Sequence, residues 1–294
     1  MRWGRAYFAV QAVAGAAWWV CVFLVPPIRV ATLGALDPVA VAVVDVPLFV
    51  VASALAALGI RASAWVATGW TGAVALALAV YATATGGAGA GVVIMAVAAG
   101  ASVLALSLVV LGRVPTEWLL VGPFAARPAR AGARHGLMTV AQIVILWGAS
   151  LVVVPLVIAG LERRWGLNLP SAPAAAVLGV VVLVLATALG ISSAVAMTRR
   201  GLGTPLPAAT ATRLVVSGPY RLVRNPMAIA GVAQAVAVGL LLGSWLVVAY
   251  ALAGSLMWNY AIRPHEERDL EQRFGDQYQR YREAVRCWVP RAPA

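Results

Sequence analysis

The chain contains no lysine, because all 22 of its basic residues are arginine. Catalysis through a lysine Schiff base and phosphate binding by a Walker A loop are therefore excluded, since both require a lysine. Charge of either sign is scarce, with 10 acids and only 11% charged residues. A soluble protein usually carries about a quarter charged residues, so this composition argues against a soluble fold.

Cysteine and histidine are equally scarce, with two residues of each. Cys21 lies in an apolar segment and Cys287 in the basic tail, so we expect no disulfide, and we expect no metal site. The glycine-rich run 86–91 lacks the last glycine of a dinucleotide-binding fingerprint and follows an apolar segment instead of a strand. We interpret it as an external turn or a site of close helix packing.

Long apolar segments are abundant, and 62% of the residues are hydrophobic. Eight segments approach the roughly 20 residues that a membrane-spanning helix needs. They lie near 6–26, 39–60, 63–83, 90–112, 137–160, 174–197, 227–242 and 245–262. The pattern predicts an all-α, polytopic transmembrane bundle of about eight helices. Gly243-Ser244 joins the last two segments into a helical hairpin, and a helical tail follows in the cytoplasm.

The arginines predict the orientation. With eight spans most of them fall on one side, namely Arg2, Arg5, Arg61, Arg113, Arg127, Arg130, Arg134, Arg199, Arg200, Arg213, Arg221, Arg224 and those of the tail. Only Arg29, Arg163 and Arg164 fall on the other. The positive-inside rule then places both termini in the cytoplasm, and we expect the inner (plasma) membrane of a bacterium. Topology and anionic lipid explain the net charge of +12, so no nucleic-acid partner is expected.

Polar residues divide the chain into two sections. Residues 1–136 hold four spans with few polar groups and are interpreted as a scaffold, whereas residues 137–294 hold the other four spans and the dense motifs. Asp45, beside Pro47, is the one deeply placed acid of the first section. A hydrogen-bonded structural acid and a functional acid are both open, because intramembrane carboxylates often mark function.

The densest motif begins where the sixth segment ends. Arg199-Arg200-Gly201-Leu202-Gly203-Thr204-Pro205 opens a polar segment, which closes with Ser217-Gly218-Pro219-Tyr220-Arg221-Leu222-Val223-Arg224-Asn225-Pro226-Met227. After the hairpin the chain continues Arg263-Pro264-His265-Glu266-Glu267. An apolar stripe interrupted at Gly275 then predicts two short amphipathic helices. A hairpin returns both clusters to one membrane face, although a plain loop with snorkelling arginines is an alternative.

These motifs resemble the isoprenylcysteine carboxyl methyltransferase and phospholipid methyltransferase superfamily. The resemblance covers about residues 199–291 and consists of the Gly-Pro-Tyr-Arg-x-x-Arg-Asn-Pro-Met turn, the hairpin, the Arg-x-x-x-Glu-Glu element and the Phe-Gly-x-x-Tyr-x-x-Tyr tail before Val289-Pro290-Arg291. It implies an integral membrane enzyme that transfers a methyl group from S-adenosylmethionine at the cytoplasmic face without a Rossmann fold.

The resemblance also implies the site. It assigns cofactor binding to Gly218, Pro219, Tyr220, Arg224, Asn225, Pro226, Glu266, Glu267 and Tyr278, and catalysis to Arg224, Arg263 and Glu267. The family usually has His where this chain has Asn225, and commonly Tyr and Gly where it has Ala228 and Ala230. Asparagine still forms hydrogen bonds but cannot act as a base.

The methyl acceptor stays open at this point. Arginines near the methyl would suit a carboxylate, whereas a glutamate that accepts a proton would suit an amine or a thiol. We expect a lipid-like or other apolar acceptor that enters from the bilayer. A non-enzymatic transporter or lipid-binding scaffold is the alternative, although no internal repeat of the transporter kind is found. Small-residue helix faces leave the oligomeric state open.

Overall fold

The computed structural model describes residues 1–120, 144–201 and 213–290. They form two compact units, Met1–Pro115 with Leu161–Leu167, and Thr116–Gly160 with Asn168–Ala294. The predicted boundary at residue 136 lies outside the described residues, as do residues 137–143 of the fifth segment. The assignment of a scaffold and a catalytic section stays a prediction.

Both units are helical, and the described residues contain no strand. The first unit consists of α1 Arg2–Leu24, α2 Pro26–Leu33, α3 Pro38–Leu58, α4 Arg61–Thr85, α5 Gly89–Val110 and the short segment Leu161–Leu167. The remaining elements are α6 Val144–Arg164, α7 Pro173–Gly201, α8 Pro226–Leu242, α9 Trp245–Phe274 and α10 Asp276–Ala284, with 3₁₀ turns at Thr116–Leu120 and Gly218–Arg221.

The predicted class is confirmed, because seven of the described helices are long and apolar enough to cross a membrane. The remaining predicted segment, 227–242, is the shorter apolar helix α8. One boundary differs: the segment predicted to end at residue 262 continues as α9 to Phe274. Arg127, Arg130 and Arg134, which contributed to the predicted orientation, lie outside the described residues.

Three π-helical turns interrupt these helices, and each accompanies a proline. They lie at Val46–Val51, which contains Pro47, at Ala149–Val153 just before Pro155, and at Trp258–Ile262 just before Pro264. Proline removes one backbone donor, and its ring collides with the carbonyl four residues earlier in a regular α-helix. At Ala149–Val153 and Trp258–Ile262 the wider turn contains that carbonyl and accommodates the ring. Helix α9 therefore continues past residue 262, where the sequence predicts the end of the segment.

Asp45 joins three helices of the first unit. Trp19 on α1 donates its indole N–H to Oδ2 at 2.9 Å, and Trp70 on α4 donates to Oδ1 at 2.7 Å. A second polar group, also across three helices, joins Gln11 Nε2 to Ser53 at 3.1 Å and Gln11 Oε1 to Ser102 at 2.8 Å. Polar contacts of this kind fix helix positions where apolar packing against lipid gives little direction.

The glycine-rich run 86–91 contains sites of close helix packing, which is one of the two interpretations given from the sequence. A Cβ at Gly91 would collide with the carbonyl of Thr32, and one at Gly89 would collide with the carbonyl of Trp165. At the same end of the unit, Arg164 donates to the carbonyls of Thr83 and Ala84 at 2.7 and 2.6 Å. These bonds satisfy carbonyls in the last turn of α4, which have no partner within the helix.

The hairpin of the second unit turns at Gly243, whose φ of +61° favours glycine. Ser244 caps α9 by accepting a hydrogen bond from the Val247 backbone N–H at 3.2 Å. On α8, a Cβ at Gly239 would lie 2.7 Å from Val248 Cγ2, so the two helices approach closely. The short connection and the close packing together return α9 toward the start of α8.

Substitution Asp45→Asn should destabilise the first unit. The side-chain amide group cannot accept the second indole N–H, so one buried donor loses its partner at a cost of about 1–3 kcal/mol. Thermal unfolding in detergent measures the effect. Asp37→Asn is the matched control: Asp37 caps α3 by accepting from the Ala40 N–H at 2.8 Å, and asparagine caps equally well. Equal stability of the two variants would contradict the structural role of Asp45.

Candidate active site

The predicted turn exists, and it begins with a glycine in the left-handed region of backbone conformation. Gly218 has a φ of +63°, which a residue with a side chain rarely adopts, and it opens the 3₁₀ turn Gly218–Arg221. Tyr220 within the turn is buried, and Pro226 begins α8. Residues 202–212, which include Gly203, Thr204 and Pro205 of the opening motif, lie outside the described residues.

The tail folds back onto this turn through specific hydrogen bonds. The Arg224 backbone N–H donates to the carbonyl of Arg286 at 3.0 Å, and the Tyr281 hydroxyl donates to the carbonyl of Tyr220 at 2.7 Å. Trp288 donates its indole N–H to Asn259 on α9 at 2.9 Å. The tail thus supplies hydrogen-bond partners for two backbone groups of the turn, the Arg224 N–H and the Tyr220 carbonyl.

An ion pair connects the turn with α9. Arg224 Nη2 lies 3.1 Å from Glu267 Oε1, and the two side chains are only 11% and 19% exposed. Arg263, one helical turn before Glu267, places Nη1 at 4.0 Å from the same oxygen. The Nε and Nη1 groups of Arg224 are buried and have no hydrogen-bond partner among the described residues. Two charged donors are therefore left for a further acceptor.

One cavity of about 800 Å³ lies within the second unit, with walls from α6, α7, α8, α9, the turn and the tail. On α9 alone the lining residues extend from Tyr250 to Arg273, about 35 Å at the helical rise of 1.5 Å per residue. Its volume is in the range of pockets for small molecules and cofactors.

The two ends of the cavity differ in chemistry. The charged end is lined by residues of the turn, the tail and the last part of α9, namely Arg213, Tyr220, Arg224, Asn225, His265, Glu266, Arg268, Asp269, Arg273 and Tyr281. The apolar end is lined by the transmembrane parts of α6, α8 and α9, including Trp147, Leu151, Val232, Ala235, Ala251, Gly254 and Trp258. A single cavity thus offers ionic contacts at one end and hydrocarbon contacts at the other.

His265 has a fixed hydrogen-bond pattern at the charged end. Arg268 Nη2 lies 2.8 Å from His265 Nδ1, and because arginine only donates, Nδ1 must accept. His265 Nε2 then carries the proton and donates to Thr116 Oγ1 at 3.0 Å. Both ring nitrogens are thereby engaged. Asp269 is also paired, with Arg273 at 2.6 Å, whereas Glu266 has no ion pair among the described residues. Glu266 is consequently the available carboxylate in the cavity wall.

The predicted site residues occupy four places. Tyr220, Arg224, Asn225 and Glu266 line the cavity. Glu267 and Arg263 do not line it, but their ion pairs connect them with Arg224 or with each other. Gly218, Pro219 and Pro226 shape the turn and the start of α8, and Tyr278 is buried outside the lining. The role of each residue in binding or catalysis stays a prediction.

Several cavity residues were not predicted, in particular His265, Asp269 and Arg273. With Trp258 and Ile262 they follow one another at intervals of three and four residues, which is the spacing of one helix face. The signal was present in the sequence, but the predicted apolar segment ended at residue 262, before the charged residues of this face. Trp147 and Leu151 on α6 carried no comparable signal, because apolar residues of a transmembrane segment look alike wherever they face.

Three tyrosines of the turn and tail hold their protons more strongly than usual. Burial, and secondly the negative charge of Glu267, raise the pKa of Tyr278 from its ordinary value of 10.0 to about 12. Burial is also the main cause that raises the pKa of Tyr220, followed by the charge of Glu266, and burial raises the pKa of Tyr281. All three are neutral hydrogen-bonding groups near neutral pH.

Residues 174–277 match the family model described as phospholipid methyltransferase. The superfamily resemblance is thereby confirmed. This match covers roughly a third of the chain and contains the turn, the hairpin and both glutamates. Together with the seven apolar helices it indicates an integral membrane methyltransferase. No curated protein matches the chain.

Loss of the ion pair between Arg224 and Glu267, called the inner ion pair below, should destabilise the second unit. Glu267→Ala leaves Arg224 buried without its counter-charge and should lower the free energy of unfolding by about 2–4 kcal/mol. Thermal unfolding in detergent measures this loss, and Arg282→Gln is the control. Arg282 pairs with Glu271 at 3.5 Å where both side chains are over a third exposed, so its loss should cost less than about 1 kcal/mol. Similar losses in both variants would show that the Arg224 pair is not structural.

The contribution of the tail to the stability of the fold should decrease at high pH. The raised pKa of Tyr278 means that its neutral form stabilises the fold below pH 10.0, and that this contribution disappears between pH 10.0 and about 12. Stability measured against pH should therefore fall less steeply over this interval in Tyr278→Phe than in the wild type. Tyr260→Phe, at a position 72% exposed, should keep the wild-type slope. An unchanged slope in Tyr278→Phe would refute the assignment.

Proposed function

We propose that the chain is an S-adenosylmethionine-dependent methyltransferase that acts on a lipid-like acceptor at the cytoplasmic membrane face. The observation that carries the proposal is the single cavity, whose charged end is built from the family-matched segment and whose apolar end lies among transmembrane helices. Such a cavity fits a charged cofactor and an apolar acceptor together. The arginines that line its charged end, Arg213, Arg224, Arg268 and Arg273, all belong to the predicted cytoplasmic side.

The residues at the charged end fit the groups of this cofactor. Its amino-acid carboxylate would be held by Arg224, whose buried Nε and Nη1 lack partners among the described residues. Its ammonium or sulfonium charge would be held by Glu266 and by aromatic faces such as Tyr220. Glu267 and Arg263 would act through Arg224, because the inner ion pair holds the guanidinium in place.

The bound cofactor would supply a methyl group on a cationic sulfur. Transfer of this methyl group to the acceptor's nucleophile would leave the carbon–sulfur electron pair on sulfur and so give S-adenosylhomocysteine as the second product. The protein must align the nucleophile at about 3–3.5 Å and exclude water. A carboxylate acceptor would need no proton transfer and could pair with an arginine, whereas an amine or thiol must lose a proton, for which Glu266 is the available group.

Binding of S-adenosylhomocysteine tests the proposal. Isothermal titration of the detergent-purified protein should give micromolar affinity. Arg224→Gln and Glu266→Gln should each weaken it about tenfold or more, because each removes a charge-assisted hydrogen bond. Asp276→Asn, at an exposed position in the first turn of α10, should bind like the wild type. Arg224→Gln and Glu267→Ala belong in the set only with their thermal unfolding measured, since each breaks the ion pair between these two residues and should also destabilise the fold.

Absence of binding by well-folded wild type would refute the methyltransferase proposal and favour a transporter or lipid-binding scaffold. Equal affinity in all variants would leave the cofactor assignment standing but would overturn the site, since neither wall residue would then contact the ligand.

A further inference from the structure

The glycines on the helices of the second unit are of different kinds. A Cβ at Gly179 would lie 3.1 Å from the Ala237 carbonyl, and one at Gly239 would lie 2.7 Å from Val248, so helix packing accounts for both. At Gly231 and Gly254 a Cβ would meet no heavy atom within 4 Å. Both of these line the cavity. Close helix packing therefore does not explain them, and the space that a side chain would occupy is the cavity itself.

The two cavity glycines lie in its apolar part among other small residues. Gly231 on α8 is one helical turn before Ala235, and Gly254 on α9 stands beside Ser255 and one turn after Ala251. Small side chains on both helices of the hairpin keep this part of the cavity wide. A leucine at either glycine would fill part of the volume without meeting backbone.

The apolar part suits a hydrocarbon chain. Among the described residues, those that line it on α6, α8 and α9 before Ile262 carry no charge. Of its polar groups, the Tyr250 hydroxyl donates to the Ser150 carbonyl at 3.3 Å and the Ser150 hydroxyl donates to the Leu146 carbonyl at 2.6 Å. Hydrogen bonding is thus largely satisfied within the protein. The helices belong to predicted membrane spans, so the bilayer is the nearest source of such a chain.

We propose that Gly231 and Gly254 determine how much hydrocarbon the cavity admits, and so select the acceptor by the length of its acyl or similar chain. The inference rests on the proposed function, because the chain is taken to belong to the methyl acceptor. Because a lipid chain leaves hydrocarbon when it enters the cavity, the fit between the chain and the cavity walls decides how much of it is admitted. A side chain at either glycine would exclude the end of a long chain and leave a short chain unaffected.

Photolabelling tests the proposal without requiring turnover. The full chain is placed in phosphatidylcholine nanodiscs with a phospholipid that carries a diazirine at the end of a palmitoyl chain, and adducts are mapped by mass spectrometry. In the wild type we expect adducts on the cavity-lining parts of α6, α8 and α9. Gly231→Leu and Gly254→Leu should each lower their yield about tenfold, because a leucine side chain would overfill the space that the end of the chain occupies.

The matched control is Gly160→Leu. Gly160 lies on α6, also has nothing within 4 Å of a Cβ, and does not line the cavity, so its variant should label like the wild type. A hexanoyl analogue should label all variants equally. Adducts confined to outward helix faces, or a cavity yield unchanged in both glycine variants, would overturn the proposal.

Titration with S-adenosylhomocysteine separates this proposal from the proposed function. Both leucine variants should bind it with wild-type affinity, since the glycines lie in the apolar part of the cavity. If the wild type fails to bind it while the labelling pattern holds, the methyltransferase proposal falls and the hydrocarbon site stands. If binding is intact and the labelling is unchanged, only the role of the glycines falls.

Discussion

The ion pair between Arg224 and Glu267 is the interaction on which the second unit depends most. It joins the turn before α8 to the part of α9 beyond the hairpin, two places 43 residues apart in sequence. A pair with such low exposure stabilises a fold only if its geometry is held, because both charges have lost contact with water. The tail contributes by accepting the Arg224 backbone N–H, which helps to fix Arg224 in the cavity wall.

The same arrangement explains how one cavity can be ionic at one end and apolar at the other. Charged groups are expensive in hydrocarbon, so they collect where the helices leave the predicted spans. The hairpin keeps both of its ends on that side, and α9 continues far enough to carry acids and arginines to it. In the proposed function, a reacting group on a lipid would meet a charged cofactor in this cavity while its hydrocarbon chain stays in apolar surroundings.

Much of the fold was predictable, because a bilayer allows few structures and apolar length alone identifies spanning helices. The described ends of the spans lie within four residues of those predicted, except where α9 runs on to Phe274. The turn and the Glu266-Glu267 element were found because charge is rare in this sequence. The sequence could not predict that Glu266 lines the cavity whereas Glu267 pairs with Arg224. Neighbouring residues on a helix point about 100° apart, and only the packing decides which one faces the cavity. Asp45 was recognised as unusual, but its partners Trp19 and Trp70 come from two other helices.

The π-helical turn before Pro264 has a consequence for how the two halves of α9 are aligned. A π turn contains one residue more than an α turn, so it rotates everything that follows by about a third of a revolution relative to an uninterrupted α-helix. The apolar half is fixed by α8 through the hairpin, whereas the charged half is fixed by the turn and the tail. The extra residue allows each half of α9 to keep the contacts with the elements that pack against it. An insertion or deletion at this point would change the rotation of the charged half of α9 relative to its apolar half. The packing within each half would stay the same.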